Sequence, residues 1–221
     1  MDIQLFLDSC KNGNISKIQN INLNEIDYNI LHHGFNIAVT YNNKQIVKYI
    51  INNSNIDIHN SEEKPFRIAC YYGHLKLLKF IINRGNVDIH IYNDIGFVQA
   101  CSNGHLNVAN YLYNLGDVNI HVNEEAPFRL ACMNGHLEVA KWLYSLDEIN
   151  IRTKDNFAFN YALENQHINV IEWLITLGIK PTEEELKLIE SYKKEINYYL
   201  LLITAIFIYF MFLGYYLYNV L

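Results

Sequence analysis

The sequence predicts an all-α fold, a helical-repeat solenoid of about six units with a period of 31 residues, followed by a C-terminal apolar helix. Three observations predict it. Phe35, Phe66, Phe97, Phe128 and Phe159 stand 31 residues apart, and Ala38, Ala69, Ala100, Ala131 and Ala162 follow at the same interval. Around these columns the apolar residues keep helical spacing, with Phe66, Ala69 and Cys70 on one face at i, i+3 and i+4. From Ile196 to Leu221 the chain carries no charged residue and no histidine.

The first unit lies at Phe6, Cys10, Gly13 and Ile15, which keep the internal frame although 29 residues rather than 31 separate Phe6 from Phe35. In each unit a second apolar set follows the Phe helix, such as Leu77, Leu78, Ile81 and Ile82, or Val139, Ala140, Leu143 and Tyr144, again at helical spacing. Gly73-His74, Gly104-His105 and Gly135-His136 separate the two helices, and His167 continues the histidine column. After the second helix, Asn83-Arg84-Gly85-Asn86 or Leu115-Gly116-Asp117 signals a turn. A short polar stretch holding Ile58, Ile89, Ile120 or Ile151 then leads into the next unit, and it is expected to run as an extended finger. Neither helix can hide its apolar stripe alone, so the units must stack, and residues 1–180 form one elongated solenoid.

Residues 181–195 read as an amphipathic helical connector, with Thr182 as N-cap, Glu185 three residues on, and Glu183/Lys187 and Glu190/Lys194 at i,i+4. Residues 196–221 read as a membrane-anchoring helix. Roughly 20 apolar residues at about 1.5 Å rise cross a hydrocarbon core of about 30 Å. Tyr198 and Tyr199 at one end, and Tyr215, Tyr216 and Tyr218 at the other, suit the two interfaces, so residues 198–218 are expected to meet the membrane.

The residues from Asn123 to Leu143, with Pro127, Phe128, Ala131, Gly135, His136, Val139, Ala140 and Leu143 in place, resemble an ankyrin repeat of the pattern T-P-L-H-x-A-A-x-x-G-H-x-x-V-V-x-x-L-L. The resemblance runs from about residue 2 to residue 180. Ala126 and Arg129 stand where the family has Thr and His, so the usual hydrogen bond between those two is not expected. A period of 31, against about 33 in the family, implies shortened fingers or turns. Richness in Asn, Ile and Tyr is similar to the ankyrin proteins encoded by large DNA viruses. The resemblance implies a non-catalytic protein-protein interaction module, in which finger tips and the exposed side of each first helix meet the partner. The matching finger positions are Glu62, Glu63, Asp94, Glu124, Glu125 and Asp155, which would line up as an acidic row suited to a basic partner surface. On the first helices they are Tyr71, Tyr72, Ser102, Asn103, Met133 and Asn134.

Other chemistry finds little support. A formal charge of −6 without a basic stripe argues against nucleic acid. Cys70/His74, Cys101/His105 and Cys132/His136 form Cys-x-x-x-His pairs that in principle suit zinc or a nucleophile and base. A repeat column spreads its members along a solenoid instead of gathering them at one point, so these cysteines and Cys10 are expected to pack as small apolar side chains. Disulfides are not expected, because helices pack about 8–10 Å apart and a bridge needs Cα atoms within about 7 Å. His32 and His33, outside the histidine columns, read as a turn or packing feature. No phosphate loop, dinucleotide motif or serine elbow is present, so no cofactor, metal or small-molecule substrate is expected and the chain does not read as an enzyme.

The segment Met1–Ile21 includes Asp8 and Lys11 and lacks the apolar run of a secretory signal, placing the repeats in the cytoplasm, or the host cytoplasm for a viral protein. The sequence therefore reads as an interaction module tethered to a membrane by its C-terminus. The alternative is a soluble adaptor that recruits a partner to a multi-subunit enzyme such as a ubiquitin ligase, with the C-terminal helix used for capping or self-association.

Overall fold

The structure, a computed structural model, describes residues 3–220, with side chains through Met211. Among the described residues it holds 13 α-helices and no strand. Six successive helix pairs account for the first twelve. They are α1 (Ile3–Asn12) with α2 (Ile15–Ile18), α3 (Tyr28–Thr40) with α4 (Lys44–Asn53), and α5 (Asn60–Tyr71) with α6 (Leu75–Ile82). Then come α7 (Ile91–Ser102) with α8 (Leu106–Tyr113), α9 (Val122–Met133) with α10 (Leu137–Leu146), and α11 (Thr153–Glu164) with α12 (Ile168–Thr176). The last helix, α13, runs from Glu183 to Val220.

Each first helix packs on the first helix of the next pair and on its own second helix, which is the stacking that the apolar stripes require. The Phe column forms the spine of the core. Phe6, Phe35, Phe66, Phe97, Phe128 and Phe159 are all 2% exposed or less, and Leu78, Ala109, Ala140 and Ile171 seal the second helices against them. Burial of one such ring stabilises by about 1.5–3 kcal/mol, and the spine repeats that contribution once in every unit.

In the third, fourth and fifth pairs the helices are joined by a Gly-His turn, and Gly13-Asn14, Asn42-Asn43 and Gln166-His167 take its place in the others. Gly104 adopts φ +75°, and a Cβ there would lie 2.5 Å from Nδ1 of His136, so both its backbone and its lack of a side chain are required. The histidines cross from pair to pair. His74 Nε2 donates to the Thr40 carbonyl at 2.9 Å and His105 Nε2 to the Tyr71 carbonyl at 2.9 Å, satisfying helix C-termini that would otherwise lack donors. In the second unit Asn43 stands in this column, and its Nδ2 donates to the carbonyls of Cys10 and Lys11.

The junctions between pairs differ from the extended fingers that the sequence suggests. Three consecutive residues enter the left-handed region at each of four junctions: Ser61-Glu62-Glu63, Tyr92-Asn93-Asp94, Asn123-Glu124-Glu125 and Lys154-Asp155-Asn156, with φ between 50° and 62°. A single left-handed turn thus replaces each finger. Two residues fewer than the family period of about 33 leave too little chain to run out and back, and the left-handed turn reverses it in three residues. The entry to α3 is conventional instead, with Asp27 accepting from the N–H groups of Asn29 and Ile30.

Candidate functional site

Left-handed backbone costs about 1–2 kcal/mol per non-glycine residue, so these turns require local compensation, and three of the four supply it in the same way. The third residue of each of these turns carries a carboxylate that folds inward. Glu63 accepts from His59 Nδ1 at 2.7 Å and from the backbone N–H of Asp88 at 3.2 Å. Asp94 accepts from His90 Nδ1 at 2.6 Å and from the N–H of Asn119 at 3.0 Å. Glu125 accepts from His121 Nδ1 at 2.9 Å and from the N–H of Asn150 at 3.4 Å. Because a carboxylate at neutral pH only accepts, each histidine must carry its proton on Nδ1. One acid therefore closes its own turn and fastens the next repeat.

Upstream, Asp57, Asp88, Asn119 and Asn150 each accept from the N–H two residues on, which fixes the entry to the turn. Downstream, Arg67 donates through Nε and Nη2 to the carbonyls of Glu62 and Ser61, and Arg129 does the same to those of Glu124 and Asn123. Arg129, standing where the family has His, thus has backbone partners of its own. At the fourth junction Arg152 and Asn156 occupy the histidine and carboxylate positions, and Asn156 Oδ1 is buried without a partner.

This geometry corrects half of the expected acidic row. Glu63, Asp94 and Glu125 are 5%, 5% and 8% exposed and face the repeat junctions, so they are not available on the surface. The reason is the turn itself, which brings every third side chain back under the next pair. Glu62, Glu124 and Asp155 remain exposed, with Lys154 Nζ 3.6 Å from Glu124. Exposed acids outside the expected row, Asp57, Asp88, Asp117 and Asp147, line the same edge. For Asp57 and Asp88 the signal in the sequence is an Asp or Asn two residues before the histidine column.

On the first helices, Tyr71 and Tyr72 are exposed, whereas Ser102, Asn103, Met133 and Asn134 are half-buried. Asn134 is already engaged, its Nδ2 donating to the Ser102 carbonyl at 2.7 Å. Hydrogen-bonding to Glu125 raises the His121 pKa, whereas burial lowers those of His32, His105 and His136. His32 packs on Tyr28 with ring centroids 4.2 Å apart, and His33 is exposed.

The four cysteines are free and buried. Burial pushes the Cys10 thiol up to about 12 and raises those of Cys70, Cys101 and Cys132 well above the ordinary value, so none offers a thiolate near neutral pH. Among the described residues, no three His, Cys, Asp or Glu side chains gather in an arrangement able to hold a metal ion.

Helix α13 opens on a reciprocal cap, with the Thr182 N–H donating to Glu185 Oε2 at 2.7 Å and the Glu185 N–H to Thr182 Oγ1 at 3.2 Å. Ile189, 4% exposed, docks it on the last helix pair, and Lys193 forms an ion pair with Glu172 of α12. Beyond Ile196 the helix leaves the solenoid, and Leu200, Leu201, Phe207 and Phe210 are 55–70% exposed. The segment Glu183–Met211 is long and apolar enough to cross a membrane, and none of its apolar window is buried. The expected outer tyrosines 215, 216 and 218 lie outside the described side chains.

Residues 97–185 match the family model for ankyrin repeats in three copies. No curated protein matches the chain.

Proposed function

We propose that this ankyrin-repeat protein is a membrane-tethered, non-catalytic interaction module that holds a cytosolic protein at a membrane surface. The observation that supports it best is α13, which is apolar on every side from Leu200 to Met211, exposed throughout, and covered by none of the described residues. A helix apolar all round in a water-soluble molecule would expose a contiguous greasy surface far beyond the size that monomeric proteins tolerate. Alkaline carbonate extraction tests the tether. Retention in the membrane pellet is expected, and recovery of all the protein in the soluble fraction would sink the reading.

The partner-facing surface is the acidic edge at Glu62 and Glu124 with the exposed Tyr71 and the half-buried Ser102 and Met133 of the first helices, and the partner presents a basic surface to it. Charge reversal of Glu62 and Glu124 should weaken complex formation at low salt. Unchanged binding would remove the acidic edge from the interface. Proximity labelling from the full chain, compared with one ending at Pro181, identifies the partner and the membrane together. The Asn-, Ile- and Tyr-rich composition supports a virus-encoded chain acting in host cytoplasm.

A soluble adaptor feeding a multi-subunit enzyme such as a ubiquitin ligase is the second reading, and the docking of Ile189 and Tyr192 on the last pair favours it to this extent: the start of α13 does cap the solenoid. That reading leaves the exposed run beyond Ile196 without a role.

A further inference from the structure

We infer that the solenoid lies edge-on against the bilayer, with its Gly-His turns resting on the lipid headgroups and its left-handed turns facing away. This orientation rests on the membrane tether proposed for α13 and adds to it.

The direction of α13 is the first support. It begins after Gly178, at the end of α12, and returns antiparallel to that helix, with Ile189 docked, Lys193 against Glu172, and Ile196 beside Gly135, Gln166, His167 and Ile168. Ile196 therefore stands level with the Gly-His turns when the helix leaves the protein. Leu200, the start of the apolar run, is four residues further on, or about 6 Å. The helix is continuous to Val220 with no proline and no break, so no linker lets the solenoid swing away from this edge. Helices in bilayers tilt by about 20° on average, too little to turn the opposite edge toward lipid.

Charge agrees with the direction. The Gly-His edge carries Lys11, Lys17, Lys44 and Lys76 against Glu138 and Glu164, and where α13 leaves it adds Lys194 beside Glu195, with Lys193 already paired with Glu172. The opposite edge carries an exposed acid at every junction, among them Glu25, Asp57, Glu62, Asp117, Glu124 and Asp155, alongside the fewer exposed cations Lys64, Arg84, Arg152, Lys154 and Lys180. An anionic leaflet attracts lysine by about 1 kcal/mol each within a Debye length and repels carboxylates over the same range. Tyr41 and Tyr72, both about half exposed at the turn edge, bring the amphipathic rings that suit a headgroup layer. Tyr72 is thereby assigned to lipid instead of a protein partner, and the acidic edge is left open to the cytosol.

The test uses the full chain in vesicles of phosphatidylcholine with about one-fifth phosphatidylserine and a nickel-chelating lipid. The four native thiols are buried, so single added cysteines can be spin-labelled selectively. Asn107→Cys and Glu138→Cys report the Gly-His edge, and Glu124→Cys and Asp155→Cys the opposite one, all at exposed positions. The nickel lipid should relax the first two nitroxides several-fold more strongly than the other two. Equal or reversed relaxation in protein that floats with the vesicles overturns the orientation while the tether stands. Protein that fails to float removes both.

Discussion

Asp94 is 5% exposed and accepts two hydrogen bonds, one from His90 and one from the first residues of the following repeat, 25 positions away at Asn119. Replacing it with alanine leaves the backbone N–H of Asn119 without its acceptor, at about 1–3 kcal/mol, while the His90 imidazole, 43% exposed, can turn to water. Asp94→Ala should therefore cost roughly 1–3 kcal/mol of stability in urea unfolding, whereas Glu124→Ala, at an exposed position of the next turn, should shift it by less than about 0.5 kcal/mol. A comparable loss in both would mean that Asp94 owes its place to the repeat pattern and not to its bonds. Gly104 makes a second residue-scale case. Gly104→Ala places a methyl group against His136 at a positive φ, and a cost of about 1–3 kcal/mol in the same measurement is expected. The pairing of His with Glu or Asp four residues on, at 59/63, 90/94 and 121/125, is legible in the chain. Its meaning is not, because polar residues near loops are usually solvated, and nothing local distinguishes a carboxylate that turns inward from one in a row of surface charges.

The helices themselves are legible, since a Phe column at a fixed interval and helical apolar spacing suffice to give two helices per unit and a stack. The junctions are not. A left-handed turn is ordinarily announced by glycine or asparagine, yet the twelve residues of these turns include no glycine and only three asparagines, Asn93, Asn123 and Asn156. The conformation is held by side-chain bonds from nearby His and Arg and by an N–H of the next repeat 25 residues on, which single-residue propensity does not reveal. The strain also has a measurable consequence. Glu124 has an exposed side chain and φ 56°, so Glu124→Gly relieves about 1–2 kcal/mol of left-handed cost while adding about 0.4–1 kcal/mol of unfolded-chain entropy. A net gain between about 0 and 1.6 kcal/mol in unfolding free energy is expected. A loss instead would show that the ion pair with Lys154 outweighs the backbone contribution.

Across the whole molecule, α13 joins two environments that the sequence separates at about residue 195, and the docked Ile189 and Tyr192 belong to the water-soluble side. A chain ending at residue 195 should stay folded and dissolve without detergent. A chain ending at Pro181 should lose about 1.5–3 kcal/mol, the burial of one Ile side chain, read as a lower melting temperature. Acid should weaken the stack as well. His32, His105 and His136 are held below the ordinary value of 6.5, so the folded state binds fewer protons than the unfolded chain, and their contribution, complete above pH 6.5, is lost as pH falls through that value. His121 is held above 6.5, so its contribution is complete below pH 6.5 and is lost as pH rises through its folded value. The urea midpoint should therefore drop between pH 7 and 5.5, and more steeply in His121→Asn, which removes the opposing contribution. The paired bonds of each inward carboxylate bear on how such a chain can grow. Every junction from Glu63 to Asn150 ends in the same plug and begins with the same socket, so whole units can be duplicated or excised and the new seam still fits. At Asn156 the plug is gone, and the last helix pair meets the start of α13 in place of another such seam.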